Sequence, residues 1–480
     1  LRFNTRIIAG CLLIACAGWP LSGCGLSTLS DDPDTLYASA LRASINEEHT
    51  ESARAAFHYM KSTNPDNLRY DRAEKLLAQN VEALGLHYAA SLFYLDIAES
   101  RRDIRLVGDA VGALERILSR DGYDQVTLRD GFLARAEITG LPPNERAFIA
   151  YHQGLDSLRN NLMTWAEQRF AEIPETSPYR HRAEYALIIK SLASYELTEV
   201  SERLGALAEA KDLPEDLRTE IHRTLGRIAF EQKRYEEALE AYELIRHTAT
   251  DDPSLLLEMA WSNYYRGNYQ RALGLLVALD APAYSGLIAP ERYLLEALSL
   301  EQLCQFEPAR IAATRLRARH GEAIDDLHAG TPLRQSTPIR LAARHREAGR
   351  APAEFRRHMR HEAAKFAQMR DQFGPQLARH LDQIYAHGLK EAERREDEQL
   401  FGQMREVSEE LLTAEEGVRL VLHELAVSVL RGRERNQADP LYRNIEVPVG
   451  GDTVFYKFDG EFWTDEIDNL VVPLEDRCVE

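Results

Sequence analysis

Between Gly226 and Ala309, small and large side chains recur on a schedule. Gly226 is followed twelve residues later by Ala238, Ala260 by Ala272, and Ala297 by Ala309. An aromatic ring stands three positions before the second member of each pair, at Tyr235, Tyr269 and Phe306. Tyr242 and Leu276 stand four positions after the first two second members. From Ala238 to Ala272 is 34 residues; from Ala272 to Ala309 is 37, with 281–286 as the place for the extra ones. This spacing predicts pairs of helices joined by tight turns at Gln232-Lys233-Arg234 and Arg266-Gly267-Asn268. A small residue where two helices cross lets their axes approach, and a bulky one forces them apart. The rings fill the wedge between successive pairs.

Weaker copies precede these. Gly154 and Ala166 are twelve apart, with Phe170 four on and Pro178 ending the copy. Leu84-Gly85 leads into Ala89, Phe93 and Tyr94, and Ala53, Phe57 and Pro65 repeat the second-helix spacing. Residues 183–211 have helical character without a clear register. A period of 34 with matched small and large positions resembles the tetratricopeptide repeat (TPR), although the Trp of that pattern is missing. The resemblance implies a mainly α chain, with a TPR-like α-solenoid over 36–320.

The periodicity changes after that. Phe355, Met359, Phe366, Met369 and Phe373 form a heptad seam interrupted by Glu362, and Gly374-Pro375 breaks it. Leu377, Leu381 and Ile384 resume, and Leu400, Met404, Val407, Leu411, Ala414, Val418, Val421 and Leu425 alternate by threes and fours. The charged run 390–399 between them reads as an exposed stretch or the tip of a hairpin. A long-helix hairpin over 321–437 satisfies both seams within one chain, and an intermolecular coiled coil satisfies them between chains. The hairpin is the expectation. Residues 438–480 alternate strand-like runs, such as Thr453–Phe458 and Leu470–Leu474, with turn chemistry at Gly450-Gly451-Asp452 and Asp459-Gly460. They predict a small β meander, with edge strands at Pro448 and Pro473.

The beginning of the chain has another character. Arg2 and Arg6 precede an apolar run, Ile7–Ala17, too short to span a bilayer. Leu21-Ser22-Gly23-Cys24 follows and resembles the bacterial lipobox. That resemblance implies a signal peptide over 1–23, removed before Cys24, and acyl chains on Cys24. Residues 24–35 read as a lipidated tether, and Gly25 resembles the residue found in outer-membrane-sorted lipoproteins. The formal net charge of −19 disfavours nucleic acid and electrostatic docking on anionic lipid, so the membrane is reached through the anchor. Cys304 and Cys478 then remain outside the signal segment and the anchor, and the sequence leaves their pairing open. The run Phe458–Trp463 and a near-terminal Cys resemble the tail of large periplasmic TPR proteins of myxobacteria, some of them part of adventurous-gliding machinery.

Candidate chemistry is sparse. His361-Glu362 and His423-Glu424 begin a zinc-protease HExxH, but Lys365 and Val427 stand where the second His belongs. His358 and His361 sit among Arg356, Arg357 and Arg360, which repel a cation. Asp452, Asp459, Asp465, Glu466 and Asp468 occupy turn positions, where Asp is favoured for backbone reasons. No metal, cofactor or small-molecule substrate is expected, and the chain does not read as an enzyme; an active site in the C-terminal β unit is the alternative of another class.

What remains is a surface. TPR grooves are lined by first helices, at positions that here are Arg223, Arg227 and Glu231, then Leu257, Trp261 and Tyr265, then Leu294, Leu298 and Gln302. Arg223, Arg227, Leu257, Trp261 and Tyr265 form the candidate partner groove, suited to an amphipathic helix or peptide. The other reading packs Trp261 and Tyr265 beneath a neighbouring helix. Glu258 and Glu291 stand where the chaperone-tail carboxylate clamp needs basic or Asn residues, so an acidic C-terminus does not fit. The expected function is a lipid-anchored periplasmic scaffold that assembles envelope proteins. The alternative is a structural subunit of an outer-membrane assembly or gliding-motility complex.

Overall fold

The computed structural model describes residues 32–100, 102–120, 123, 139–192, 196–247, 253–279, 289–430 and 471–478. Helices α1 (Pro33–Ile45) and α2 (His49–Ser62) form the first pair, α3 (Tyr70–Ala83) and α4 (His87–Ser100) the second, and α5 (Ile104–Leu118) follows. Further pairs are α6 (Pro143–Arg159) with α7 (Met163–Ala171), α8 (Arg180–Ser191) with α9 (Leu197–Ala208), and α10 (Glu215–Glu231) with α11 (Tyr235–Ile245). Then come α12 (Pro253–Tyr265) with α13 (Tyr269–Ala278), and α14 (Glu291–Gln302) with α15 (Phe306–His328). The chain continues through α16 (Thr337–His345), α17 (Glu347–Met369), a 3-10 turn (Arg370–Phe373) and the 57-residue α18 (Gly374–Leu430).

Within the pairs the small-residue rule holds in detail. Ala238, Ala260, Ala272, Ala297 and Ala309 are completely buried. At Gly226 the partner is a ring: a Cβ there would lie 2.4 Å from Tyr242, so only glycine lets α11 lie this close. The turns share one geometry. Glu47, Gly85, Asn161, Lys233, Gly267 and Cys304 all have positive φ, between 51° and 84°. Each closes its first helix with a backbone bond from the following residue, as Arg234 N–H donates to the Ala229 carbonyl at 2.8 Å and Gln305 N–H to Leu300 at 2.9 Å. This is the Schellman closure, and it fixes the angle at which the second helix returns.

The turn residue also corrects the register in the first two pairs. Counted from Glu47 and Gly85, the crossing residues are Ser52 and Ala90, one position from the Ala53 and Ala89 expected from spacing. Ser52 confirms it by donating its hydroxyl to the Ala40 carbonyl, twelve residues earlier, at 2.8 Å. In α8 and α9 the equivalent positions hold Ile188 and Val200, both fully buried. That bulky pair is why 183–211 shows no register in sequence.

The long hairpin needs correction. α17 packs on the beginning of α18, and together they share a core with α1–α5 through Phe355, Met359, Phe366, Leu377 and Leu381. The second seam, Leu400 to Leu425, does not face α17. It packs on α14, α15 and α16. The reason is length: α17 has 23 residues against 57 in α18, so half of α18 has no hairpin partner and buries its seam on the solenoid. At ~1.5 Å per residue α18 is about 85 Å long, enough to join distant repeats. The hairpin tip is the 3-10 turn. The charged run 390–399 is the exposed middle of α18, held by ion pairs such as Arg395 to Glu391 at 2.9 Å.

Most of the expected β meander, 438–470, lies outside the described residues. Of its described end, 471–477 has no regular secondary structure and Cys478 forms an isolated β-bridge. Val472 N–H donates to Gln270 at 3.2 Å and Arg477 N–H to Leu303 at 3.0 Å, so helix ends take the place of a strand partner. Cys478 forms a disulfide with Cys304, Cα to Cα 4.9 Å, across 174 residues of sequence. Closing a loop of that length restricts the unfolded chain by up to about 5 kcal/mol.

Two predictions concern this framework. Lys233 has φ 61°, a left-handed conformation that costs a side-chain-bearing residue ~1 kcal/mol. Lys233→Gly should raise stability by about 0.5–1 kcal/mol in thermal melts; an unchanged or lower Tm would show that the Lys233 side chain contributes more than its backbone costs. His380, on α18, has its ring 5.2 Å from Phe57 and 5.8 Å from Phe93. Burial there, aided by Lys61, pushes its pKa below the usual 6.5. The unfolded chain therefore takes up the proton first, and stability present above that value is lost as pH falls. His380→Gln should flatten the decline between pH 7 and pH 5 seen in the parent, which denaturant melts across that interval measure.

Candidate interaction surface

The first helices of successive pairs turn equivalent faces to one side. Between α6, α8 and α10 that side opens into a cleft of about 740 Å³, lined among others by Tyr151, Leu155, Arg182, Tyr185, Lys190 and Glu220. Tyr151 and Tyr185 mark it as part of the groove; Tyr151 stands three before Gly154, as Arg223 stands three before Gly226, whereas Tyr185 is not visible from spacing, because the α8–α9 pair lacks the small residues that set the register.

The expected groove residues divide into two groups. Arg223 and Arg227 are committed to the fold. Both donate to Glu258 of α12, at 2.8 Å and 2.7 Å. The residue that breaks the carboxylate-clamp pattern is the one that neutralises them, so the basic pair beside the aromatic strip is not free for a ligand. Leu257 is half-buried in the core of α10–α13. Trp261 is half-buried and its indole N–H donates to Glu291 at 3.4 Å. Tyr265 is 52% exposed while touching four other rings. It stacks on Tyr235 at 5.3 Å and on Trp261 at 5.8 Å. The strip is therefore a ladder of rings across two repeats. Its inner rungs are packed and its outer rung is open to solvent.

The third repeat's part of the groove is covered by the chain itself. Leu294 and Leu298 pack into the core formed with Val418, Val421 and Leu425 of α18. A Cβ at Gly417 would lie 2.7 Å from Leu294, so glycine permits the contact. An amphipathic helix does fit this face, and one already lies on it.

The residue that interrupts the first seam is a junction. Glu362 is 4% exposed. Its carboxylate accepts the Tyr88 backbone N–H at 2.9 Å, the Tyr385 hydroxyl at 3.3 Å and the Tyr123 hydroxyl. Burial raises its pKa against the pull of these donors. It joins α17, α18 and the start of α4, so a charge in an apolar seam was the sequence signal of a buried partner set. His358 stacks on Tyr123 at 5.8 Å and His361 is exposed. Among the described residues, no group of three His, Cys, Asp or Glu is placed to hold a metal, and no helix is long and apolar enough to cross a membrane. Cys24 and the carboxylates from Asp452 to Asp468 lie outside the described residues.

No family model and no curated protein matches the sequence. Among solved structures, a tetratricopeptide repeat protein from Parabacteroides merdae ATCC 43184 is 13% identical, over 60% of this chain and 93% of its own, with a TM-score of 0.23. Yeast Tom70 is 11% identical over 86% and 91%, with a TM-score of 0.30. The APC/C hetero-tetramer Cut9-Hcn1 is 10% identical over 82% and 96%, with a TM-score of 0.22. Such scores carry no argument, and the TPR-like description of this chain stands on the turns, crossings and period given above.

Glu362→Ala should leave the Tyr88 N–H and two tyrosine hydroxyls without their acceptor. The expected loss is about 2–4 kcal/mol, with faster proteolysis at the α17–α18 junction. An unaltered melt and cleavage pattern would show that α17 is held by its apolar seam alone.

Proposed function

We propose that this chain is a lipid-anchored scaffold of the bacterial cell envelope. Acylated Cys24 holds it on the outer membrane, facing the periplasm, and its first-helix face gathers other envelope proteins. The observation that carries the reading is Tyr265, the open rung of a ring ladder in the free protein. An aromatic side chain held in place by neighbours and left half exposed binds a partner with little loss of side-chain freedom. The groove of about 740 Å³ continues the same face through three more first helices. The Cys304–Cys478 disulfide supports an oxidising compartment outside the cytoplasm, in keeping with the lipobox-like Leu21–Cys24. The reading requires no bond to be made or broken.

The test has two arms in one strain background. Cys24→Ser should move the protein from the membrane to the soluble periplasmic fraction; continued membrane partition, with no acyl mass on the mature parent, defeats the anchor. Tyr265→Ala should leave the unfolding free energy within about 1 kcal/mol of the parent, as for an exposed position, while recovery of crosslinked envelope proteins falls. The reverse result, a large stability loss with recovery intact, would assign the ladder to the core.

A further inference from the structure

The groove changes character where α18 ends. Up to Leu425 the α18 seam is buried on the third repeat, but Val429 is 52% and Leu430 86% exposed. Beyond it the face continues through the rings of Trp261, Tyr264 and Tyr265. Tyr264 links the two regions: it meets Tyr265 at 5.3 Å and lies in the field of Glu301 and Glu424. Three carboxylates border these rings: Glu291 under the indole, Glu301 on α14 and Glu424 on α18. Among the described residues no Lys or Arg pairs with any of them. Glu301 is held above the usual carboxylate range by burial and by the like charge of Glu424. The basic residues nearest the strip offer no relief. Arg223 and Arg227 are bound to Glu258, and Arg266 reaches Glu236 at 2.5 Å.

We infer that this part of the groove, rings Trp261, Tyr264 and Tyr265 with carboxylates Glu291, Glu301 and Glu424, docks a partner helix that carries lysine or arginine. The proposal rests on the scaffold reading and names the chemistry of its partner. A helix is the occupant because α18 already seats one on the adjoining third repeat. A cationic side chain is required for two reasons. Ammonium or guanidinium groups gain from the ring faces, and they discharge carboxylates that no Lys or Arg among the described residues pairs with. A purely apolar helix would bury the three carboxylates unpaired, at the cost that attends any unpartnered buried charge. An acidic helix would add to the repulsion. A second copy of this chain, itself at net charge −19, is disfavoured for the same reason.

The test places p-benzoylphenylalanine at Tyr265 in the full-length protein in its own envelope, with a second probe at Ile189 in the cleft between α6 and α8. The expected result is a Tyr265 adduct on a partner segment bearing Lys or Arg at helical spacing. Glu301→Gln with Glu424→Gln should lower its yield about tenfold, the loss of one to two charge-assisted contacts, while the melting temperature holds. An adduct on a segment without basic residues, on a second copy of the chain, or with undiminished yield in the double variant overturns the inference. Adducts at Ile189 but none at Tyr265 also overturn it and leave the scaffold reading standing. No adduct at either position removes both.

Discussion

Where Gly226 passes beneath Tyr242, α10 and α11 approach so closely that one methyl group would meet the ring at 2.4 Å. This crossing of Gly226 with Ala238, repeated by Ala260 with Ala272 and by Ala297 with Ala309, is what the rest of the molecule depends on. It sets the distance within each pair, and the left-handed turn residue two positions before the second helix sets the angle. Once both are fixed, successive first helices must present their remaining faces in one direction. The groove is thus a by-product of packing rather than a separately built site. Where the crossing residues enlarge to Ile188 and Val200, the helices still pair, and it is there that the face opens into the cleft.

A solenoid of such pairs has contacts only between neighbours, and its ends are free to move relative to each other. This chain adds long-range ties. α18 shares one core with α1–α5 and another with α14–α16, so both ends of the repeat array are bound to one rigid rod. Glu362 anchors the rod's beginning with three hydrogen bonds. The Cys304–Cys478 disulfide and the bonds from Val472 and Arg477 hold the C-terminal tail on the turns of the last two pairs. These ties limit how the groove can flex, which lowers the ordering cost of binding on it.

Charge is distributed to match. The groove's two arginines neutralise Glu258 internally, leaving the carboxylates around the ring ladder in excess. A face that looked basic and aromatic along the sequence is acidic and aromatic in space. That inversion changes the kind of partner the surface admits.

The period of 34, the small and large positions and the helical character of 36–320 were legible in the sequence, because a crossing between adjacent helices is a contact at short, fixed separation. The register of the first pairs was not, since Ala53, Ala55 and Ala56, or Ala89 and Ala90, offer several small residues and only the turn at Glu47 or Gly85 selects one. The seams of α17 and α18 were equally visible as patterns. Which surface each would meet was not, because a heptad declares an apolar face and says nothing of what covers it. The pairing of Cys304 with Cys478, the capture of Arg223 and Arg227 by Glu258, and the burial of Glu362 depend on residues about 30 to 275 positions apart. Contacts of that range are decided by the tertiary arrangement, where excluded volume and the need to satisfy buried charge choose among partners that local pattern leaves equivalent.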